Sequence, residues 1–151
     1  MLGYLGNPKK TEEVIKDGWY TTGDVASIDE DGFVTITDRL SRFAKIGGEM
    51  VPLIKIEEML HKLAGLTTQT FAVTSVPDER KGERLVVLHL LDEEKLRPVL
   101  EQLPNSGLAN LSIPKSDSFF KIESLPTLGT GKLDLRAIKE TALAKVQGAI
   151  A

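Results

Sequence analysis

The chain has 151 residues, 41% of them hydrophobic and 27% charged, with a net charge of −3 at neutral pH. That suffices for one globular domain, or for a small domain with part of another, while mild acidity without a basic stripe argues against a general nucleic-acid binder. The lack of cysteine excludes disulfides, thiolate metal sites and a cysteine nucleophile, and the chain shows neither an apolar run long enough for a bilayer nor a secretion-signal pattern.

Residues 1–18 are rich in turn formers (Gly3, Gly6, Asn7-Pro8, Asp17-Gly18) and read as an irregular arm. Val25 to Ile28 and Phe33 to Thr37 flank Asp29-Glu30-Asp31-Gly32, which predicts an antiparallel hairpin. Asp38-Arg39-Leu40-Ser41 interrupts that pattern and places a domain boundary, with residues 1–40 as the tail of one domain and 41–151 as a second. Gly47-Gly48 permits a tight turn between Arg42 to Ile46 and Glu49 to Val51. Pro52 suits the first turn of a helix whose apolar face is Leu53, Ile56, Leu60 and Leu63, ended by Gly65. Thr70 to Val76 and Leu85 to Leu91 should pair antiparallel across the charged turn Pro77 to Glu83. Glu93 to Leu103 has a helical face of Leu96, Val99, Leu100 and Leu103, with Pro98 suggesting a kink or a later start. Ser118 to Ile122 supplies a third strand, and Asp134 caps a last helix with Leu135, Ile138 and Ala142 inward. The sum is an α+β fold: small antiparallel hairpins and a three-stranded, mainly antiparallel sheet flanked by helices.

Lys132 ends the glycine-rich stretch Pro126 to Lys132, a flexible arm able to carry a cation toward an anion, although a solvated lysine ahead of a helix has the same local sequence. It is not a Walker lysine, since that loop needs glycine at Pro126 and Ser or Thr at Leu133. Asp24 follows Gly23 in Trp19-Tyr20-Thr21-Thr22-Gly23-Asp24, where a carboxylate can accept hydrogen bonds from the vicinal hydroxyls of a ribose or simply cap a turn. Arg39, at the far end of the same hairpin, can return toward Asp24 or pair with Asp38. His61 and His89 read as packing or surface residues without metal spacing, and Trp19 and Tyr20 as anchors against a core.

In order along the chain, Tyr20 to Asp24, Asp38-Arg39 with Lys45 and Gly47-Gly48-Glu49, and Pro126 to Arg136 resemble three motifs of the acyl-adenylate-forming enzymes. The resemblance covers nearly the whole chain and implies the fold of that family's C-terminal domain, with residues 1–40 ending the large N-terminal domain. It also assigns roles. Asp24 and Arg39 would bind the ribose of ATP or acyl-AMP, with Tyr20 near the adenine. Ser41 would be the hinge of the small domain, although many members carry Asp or Lys there. Lys132 would contact the carboxylate substrate and phosphate oxygens during adenylation. Gly47 and Gly48 would line the pantetheine path, Lys45 would serve the second half-reaction, and Glu57 would be structural, with Lys55 where the family often has glutamate. ATP and Mg would serve the complete enzyme, with no metal held by this chain.

The wording of residues 38–52 is most similar to the acyl-[acyl carrier protein] synthetase/2-acylglycerophosphoethanolamine acyltransferase subfamily. That implies fatty acid, acyl carrier protein and lysophospholipid as partners, and a soluble piece at the cytoplasmic face of a protein associated with the inner membrane. Two alternatives stay open: the lid domain of an acyl-CoA synthetase, with CoA as acceptor, and a non-catalytic module docking acyl carrier protein through Arg80, Lys81 and Arg84, offset by Asp78, Glu79 and Glu83.

Overall fold

The computed structural model describes residues 1–150, apart from the side chains at 38 and 150. The chain divides into two compact units, Met1–Ser41 and Arg42–Ala151.

In the first unit, the Asn7 side chain accepts the Lys10 amide at 3.0 Å and so starts a short helix, α1 (Pro8–Val14). Pro8, whose φ is already helical, occupies the first turn. The segment expected as an irregular arm is therefore partly helical. No residue of α1 is buried, so no apolar period could mark it. Asp17-Gly18 then turns strand β1 (Ile15–Lys16) back onto β2 (Trp19–Tyr20).

The expected hairpin follows as β3 (Asp24–Ile28) and β4 (Val34–Arg39), antiparallel, with Asp24 opposite Arg39 and a bulge between Val25 and Ala26. Asp29 closes its turn, Oδ1 accepting the amides of Asp31 at 3.1 Å and Phe33 at 2.9 Å. A 3-10 turn, Leu40–Arg42, follows β4.

The second unit starts with β5 (Phe43–Ile46) and β6 (Glu49–Pro52), joined by Gly47 (φ 60°) and Gly48 (φ 91°). Two successive positive φ values suit a turn that matches strand twist, and glycine adopts them without Cβ strain. Pro52, expected inside the next helix, instead ends β6 and precedes α2 (Leu53–Ala64). Gly65 ends α2 in the left-handed region.

Strands β7 (Phe71–Asp78) and β8 (Gly82–His89) pair antiparallel from Phe71↔His89 to Asp78↔Gly82. They run into the segment expected as turn, because Asp78 Oδ1 accepts the amides of Arg80 at 3.0 Å and Lys81 at 2.9 Å and confines the reversal to three residues. Helix α3 (Glu93–Gln102) starts at Glu93 and continues through Pro98. The bond that Pro98 cannot donate would go to the carbonyl of Glu94, an exposed residue that water can serve.

Strand β9 (Phe119–Lys121) adds parallel to β8, and β5 bridges β8 at Ile46↔Gly82, so the three core strands extend to a five-stranded sheet. Helix α4 (Leu135–Ile150) closes the chain. Alternate residues of β7 and β8 serve two cores: Phe71, Val73, Leu85 and Val87 pack with α2 and α3, and Ala72, Val76, Val86 and Leu88 with α4. Among the described residues, no helix is long and apolar enough to cross a membrane.

Candidate functional site

Hairpin β3–β4 brings together two of the residues singled out above. The Arg39 Nε lies 3.0 Å from Asp24 Oδ1, with the aspartate side chain 21% exposed and the arginine 70% exposed. Gly23 turns the chain into β3, its carbonyl accepting the Leu40 amide at 2.8 Å, and the Asp24 amide binds the Thr22 hydroxyl at 3.1 Å. A carboxylate held by a largely exposed guanidinium offers acceptor and donor to a vicinal diol.

Tyr20 is exposed, its hydroxyl 3.4 Å from that of Tyr4. This hydrogen bond is the main reason its pKa lies above the ordinary tyrosine value, with the charge on Asp24 adding to it. Trp19, expected as an anchor, is 81% exposed in this chain, and no described side chain in residues 1–41 is buried.

Lys132 is exposed, as the role expected of it would require, but the stretch that carries it is a closed turn rather than a loose arm. The Leu128 amide donates to the Lys132 carbonyl at 2.8 Å, the Gly131 amide to Leu128 at 2.8 Å, and the Asp134 amide to Pro126 at 2.9 Å. Thr127 bridges Leu133 antiparallel, and Gly131 takes φ 81° to complete the reversal. Asp134 Oδ1 then accepts the amides of Arg136 and Ala137, both at 3.1 Å, and starts α4. The ammonium thus projects from a small hairpin rooted on a capped helix.

Lys45 is exposed on β5 between the buried Ala44 and Ile46, two residues before Gly47-Gly48. A Cβ built on either glycine would meet nothing within 4 Å, which leaves the turn open to a ligand. Ser41 is exposed within the Leu40–Arg42 turn. The next residue is fixed: Arg42 Nη2 lies 3.1 Å from Glu57 Oε1, a buried carboxylate that also accepts Gln69 Nε2 at 3.1 Å and the Val73 amide at 3.0 Å. Glu57 is therefore a packing node, as expected of it.

Sequence reasoning gave Glu83 only to a charged turn. Its carboxylate accepts the Lys45 amide at 2.6 Å and the Ser75 hydroxyl at 2.9 Å, and lies 3.8 Å from Lys139 Nζ. The Pro-Asp-x-x-x-Gly-Glu spacing of Pro77 to Glu83 was a usable signal only once the strands were known to extend into it.

A cavity of about 200 Å³ opens beside the β7–β8 turn, lined by Arg80, Lys81, Arg84 and Lys115 over an apolar floor that includes Ile46 and Leu111. Asp78, the carboxylate in this lining, has Oδ1 committed to two amides, and these bonds, chiefly that of Lys81, hold its pKa below the usual range. His61 is structural: one ring nitrogen is 2.7 Å from the Glu57 carbonyl and the other accepts the Thr70 amide at 2.9 Å. His89 is buried against Phe71 and Phe119. Among the described residues no three His, Asp or Glu gather to hold a metal ion.

No family model matches the chain. It is 37% identical over 139 residues to a feruloyl-CoA synthase of Amycolatopsis sp, covering 88% of this chain and 27% of that protein. It is 34% identical over 147 residues to the long-chain-fatty-acid–CoA ligase of Salmonella typhimurium, covering 97% of this chain and 26% of the relative. The homologues are AMP-binding acyl-CoA ligases. Among solved structures, ATP-bound MatB from Rhodopseudomonas palustris superposes with a TM-score of 0.67 and 27% identity, over 92% of this chain and 27% of that one. The α+β arrangement matches the C-terminal domain of the acyl-adenylate-forming ligases. The chain spans about a quarter of the length of these ligases.

Proposed function

We propose that this chain is the C-terminal part of an ATP-dependent ligase that activates a carboxylic acid, a fatty acid in the reading favoured here, as acyl-AMP and passes the acyl group to a pantetheine thiol. The observation that carries the proposal is the exposed Lys132 ammonium on a closed turn, in a chain whose homologues are acyl-CoA ligases. Residues 1–41 belong, in this reading, to the large nucleotide-binding lobe. Their exposed Trp19, Ile28, Phe33, Val34, Ile36 and Leu40 form no core of their own and call for a larger apolar partner.

In the first step a carboxylate oxygen attacks the α-phosphorus of ATP and pyrophosphate leaves. Two anions must approach, and Lys132 lowers the barrier by cancelling their repulsion and the charge developing on the phosphate. Asp24 and Arg39 hold the ribose and so fix the α-phosphate. Mg²⁺, when bound, neutralises charge on the triphosphate through phosphate oxygens. In the second step the thiol sulfur attacks the acyl carbon and AMP leaves. Rotation of the small domain about Ser41 exchanges Lys132 for Lys45 and the Gly47-Gly48 turn, where the thiol arm can pass close to backbone.

The names of the homologues favour CoA as acceptor. Acyl carrier protein, with lysophospholipid reacylation at the inner membrane, is the second reading, favoured by the wording of residues 38–52. The basic cavity of Arg80, Lys81, Arg84 and Lys115 suits an anion borne by either carrier, and a docking role for that face alone requires salt-sensitive binding of carrier protein. Assay of the complete enzyme with both acceptors separates the readings.

Lys132→Ala in the complete enzyme tests the mechanism. Acyl-AMP formation should fall by about a hundredfold or more, the scale of losing one preorganised charge contact, while transfer from preformed acyl-AMP is spared. Equal losses in both steps refute the assignment.

A further inference from the structure

The β5–β6 hairpin, which bears Lys45 and the Gly47-Gly48 turn, has a narrow hold on the sheet. β5 pairs with β6 over four residue pairs but with β8 at one, Ile46↔Gly82. The Gly47 amide reaches the Lys81 carbonyl at 2.9 Å, and the Lys45 amide is taken by the side chain of Glu83 at 2.6 Å. Glu83 is itself held from two further elements. The hydroxyl of the buried Ser75 on β7 donates to its other oxygen at 2.9 Å, and Lys139 on α4 stands 3.8 Å away. One carboxylate therefore ties β5, β7 and α4 together.

We propose that Glu83 is a positioning residue for thiol transfer: by fixing the Lys45 main chain it sets where Lys45 and the Gly47-Gly48 turn stand when the acceptor arm arrives. This rests on the proposed function. Three features make the anchor specific. A charged acceptor binds an amide more strongly and with a shorter bond than a neutral carbonyl does. The anchor lies at the open side of the hairpin, where the ladder between β5 and β8 ends. Lys45 is an exposed residue, so water can satisfy its amide when the carboxylate is removed, and the loss is one of position more than of folding. Lys132 sits on a separate turn closed by the Leu128, Gly131 and Asp134 amides, and Glu83 meets α4 at Lys139 across a long 3.8 Å, so its loss should leave adenylation nearly unchanged.

The test uses the complete ligase, with the half-reactions assayed apart and exchange of the Lys45 amide read by NMR or mass spectrometry. Glu83→Ala should slow transfer from preformed acyl-AMP by about tenfold to a hundredfold, as expected for a reacting group displaced by up to an ångström, leave acyl-AMP formation within about twofold, and speed exchange at Lys45. Glu83→Gln keeps an oxygen for the Lys45 amide and should recover most of the transfer rate. Equal loss in both steps, no loss in transfer, or no recovery with glutamine overturns the role. Gly48→Ala separates this inference from its foundation. If that change also leaves transfer untouched, the turn has no part in the second step and the functional reading fails; if it slows transfer while Glu83→Ala does not, only the anchor fails.

Discussion

Replacing Glu57 with alanine tests how the second unit is held immediately after the Leu40–Arg42 turn. The Glu57 carboxylate accepts Arg42 Nη2 and Gln69 Nε2 at one oxygen, both at 3.1 Å, and the Val73 amide at the other at 3.0 Å. The side chains of Arg42 and Glu57 are 14% and 9% exposed, so solvent screens the pair little. Three bonds to a charged acceptor at about 1.5–3 kcal/mol each set an upper bound of roughly 5–9 kcal/mol. Such terms do not add within one network, and removing one partner of a buried pair costs about 3–5 kcal/mol. We take the lower range, because part of Arg42 still reaches water whereas the Val73 amide stays in a buried strand. Urea unfolding should report this loss, with a fall in Tm of about 10 °C or more. Glu57→Gln should be intermediate, since its NH2 group would face the Val73 amide, donor against donor. A loss under about 1 kcal/mol would mean that water replaces the carboxylate and would refute the packing role. The double change with Arg42→Ala should lose less than the sum of the single changes.

Burial holds the His89 pKa below its ordinary value of 6.5, and the neighbouring charge of Lys121 lowers it further, against an opposing effect of the Leu91 backbone. With the folded pKa depressed, the unfolded chain binds the proton first, so stability is flat above pH 6.5 and falls as pH drops from there toward the folded pKa. His89→Leu should remove that part of the acid slope in unfolding measured across this window; an unchanged slope refutes it. Asp134→Ala removes the acceptor of two α4 amides and should cost about 0.5–2 kcal/mol in chemical unfolding, recovered largely by asparagine. No loss would mean that the Lys132 turn holds the helix start without the cap.

Elements with a clear apolar signal could be read directly from the chain: the α2 and α4 faces each report one buried side, and the unbroken β-branched and apolar runs of β7 and β8 report strands buried on both. Elements held by polar groups could not. Helix α1 rests on Asn7 and Pro8 without burial, and the junction of β5 with β8 rests on one backbone bridge and the Glu83 side chain. Strand β9 has three residues, too few to carry direction, and its parallel pairing follows from the α3 crossover. Among site residues, Asp24 and Arg39 were recognisable because a hairpin of that length returns one end to the other. Glu83 was hidden, since a carboxylate that binds a distant amide looks the same in sequence as one in a solvated turn.

The closed Lys132 turn changes where motion must come from. A loose arm could carry the ammonium by bending at its glycines, but here Pro126, Leu128 and Lys132 give their carbonyls to neighbouring amides and Asp134 caps the helix behind them. The Gly47-Gly48 turn is likewise held, through Lys81 and Glu83. If both groups serve successive steps, they travel as parts of one stiff body, and the conformational change concentrates in the few residues between β4 and β5. The Arg42 side chain is already bound to Glu57 on the body's side, and the Leu40 amide to Gly23 on the other, so Ser41, the hinge proposed above, lies between two anchored neighbours.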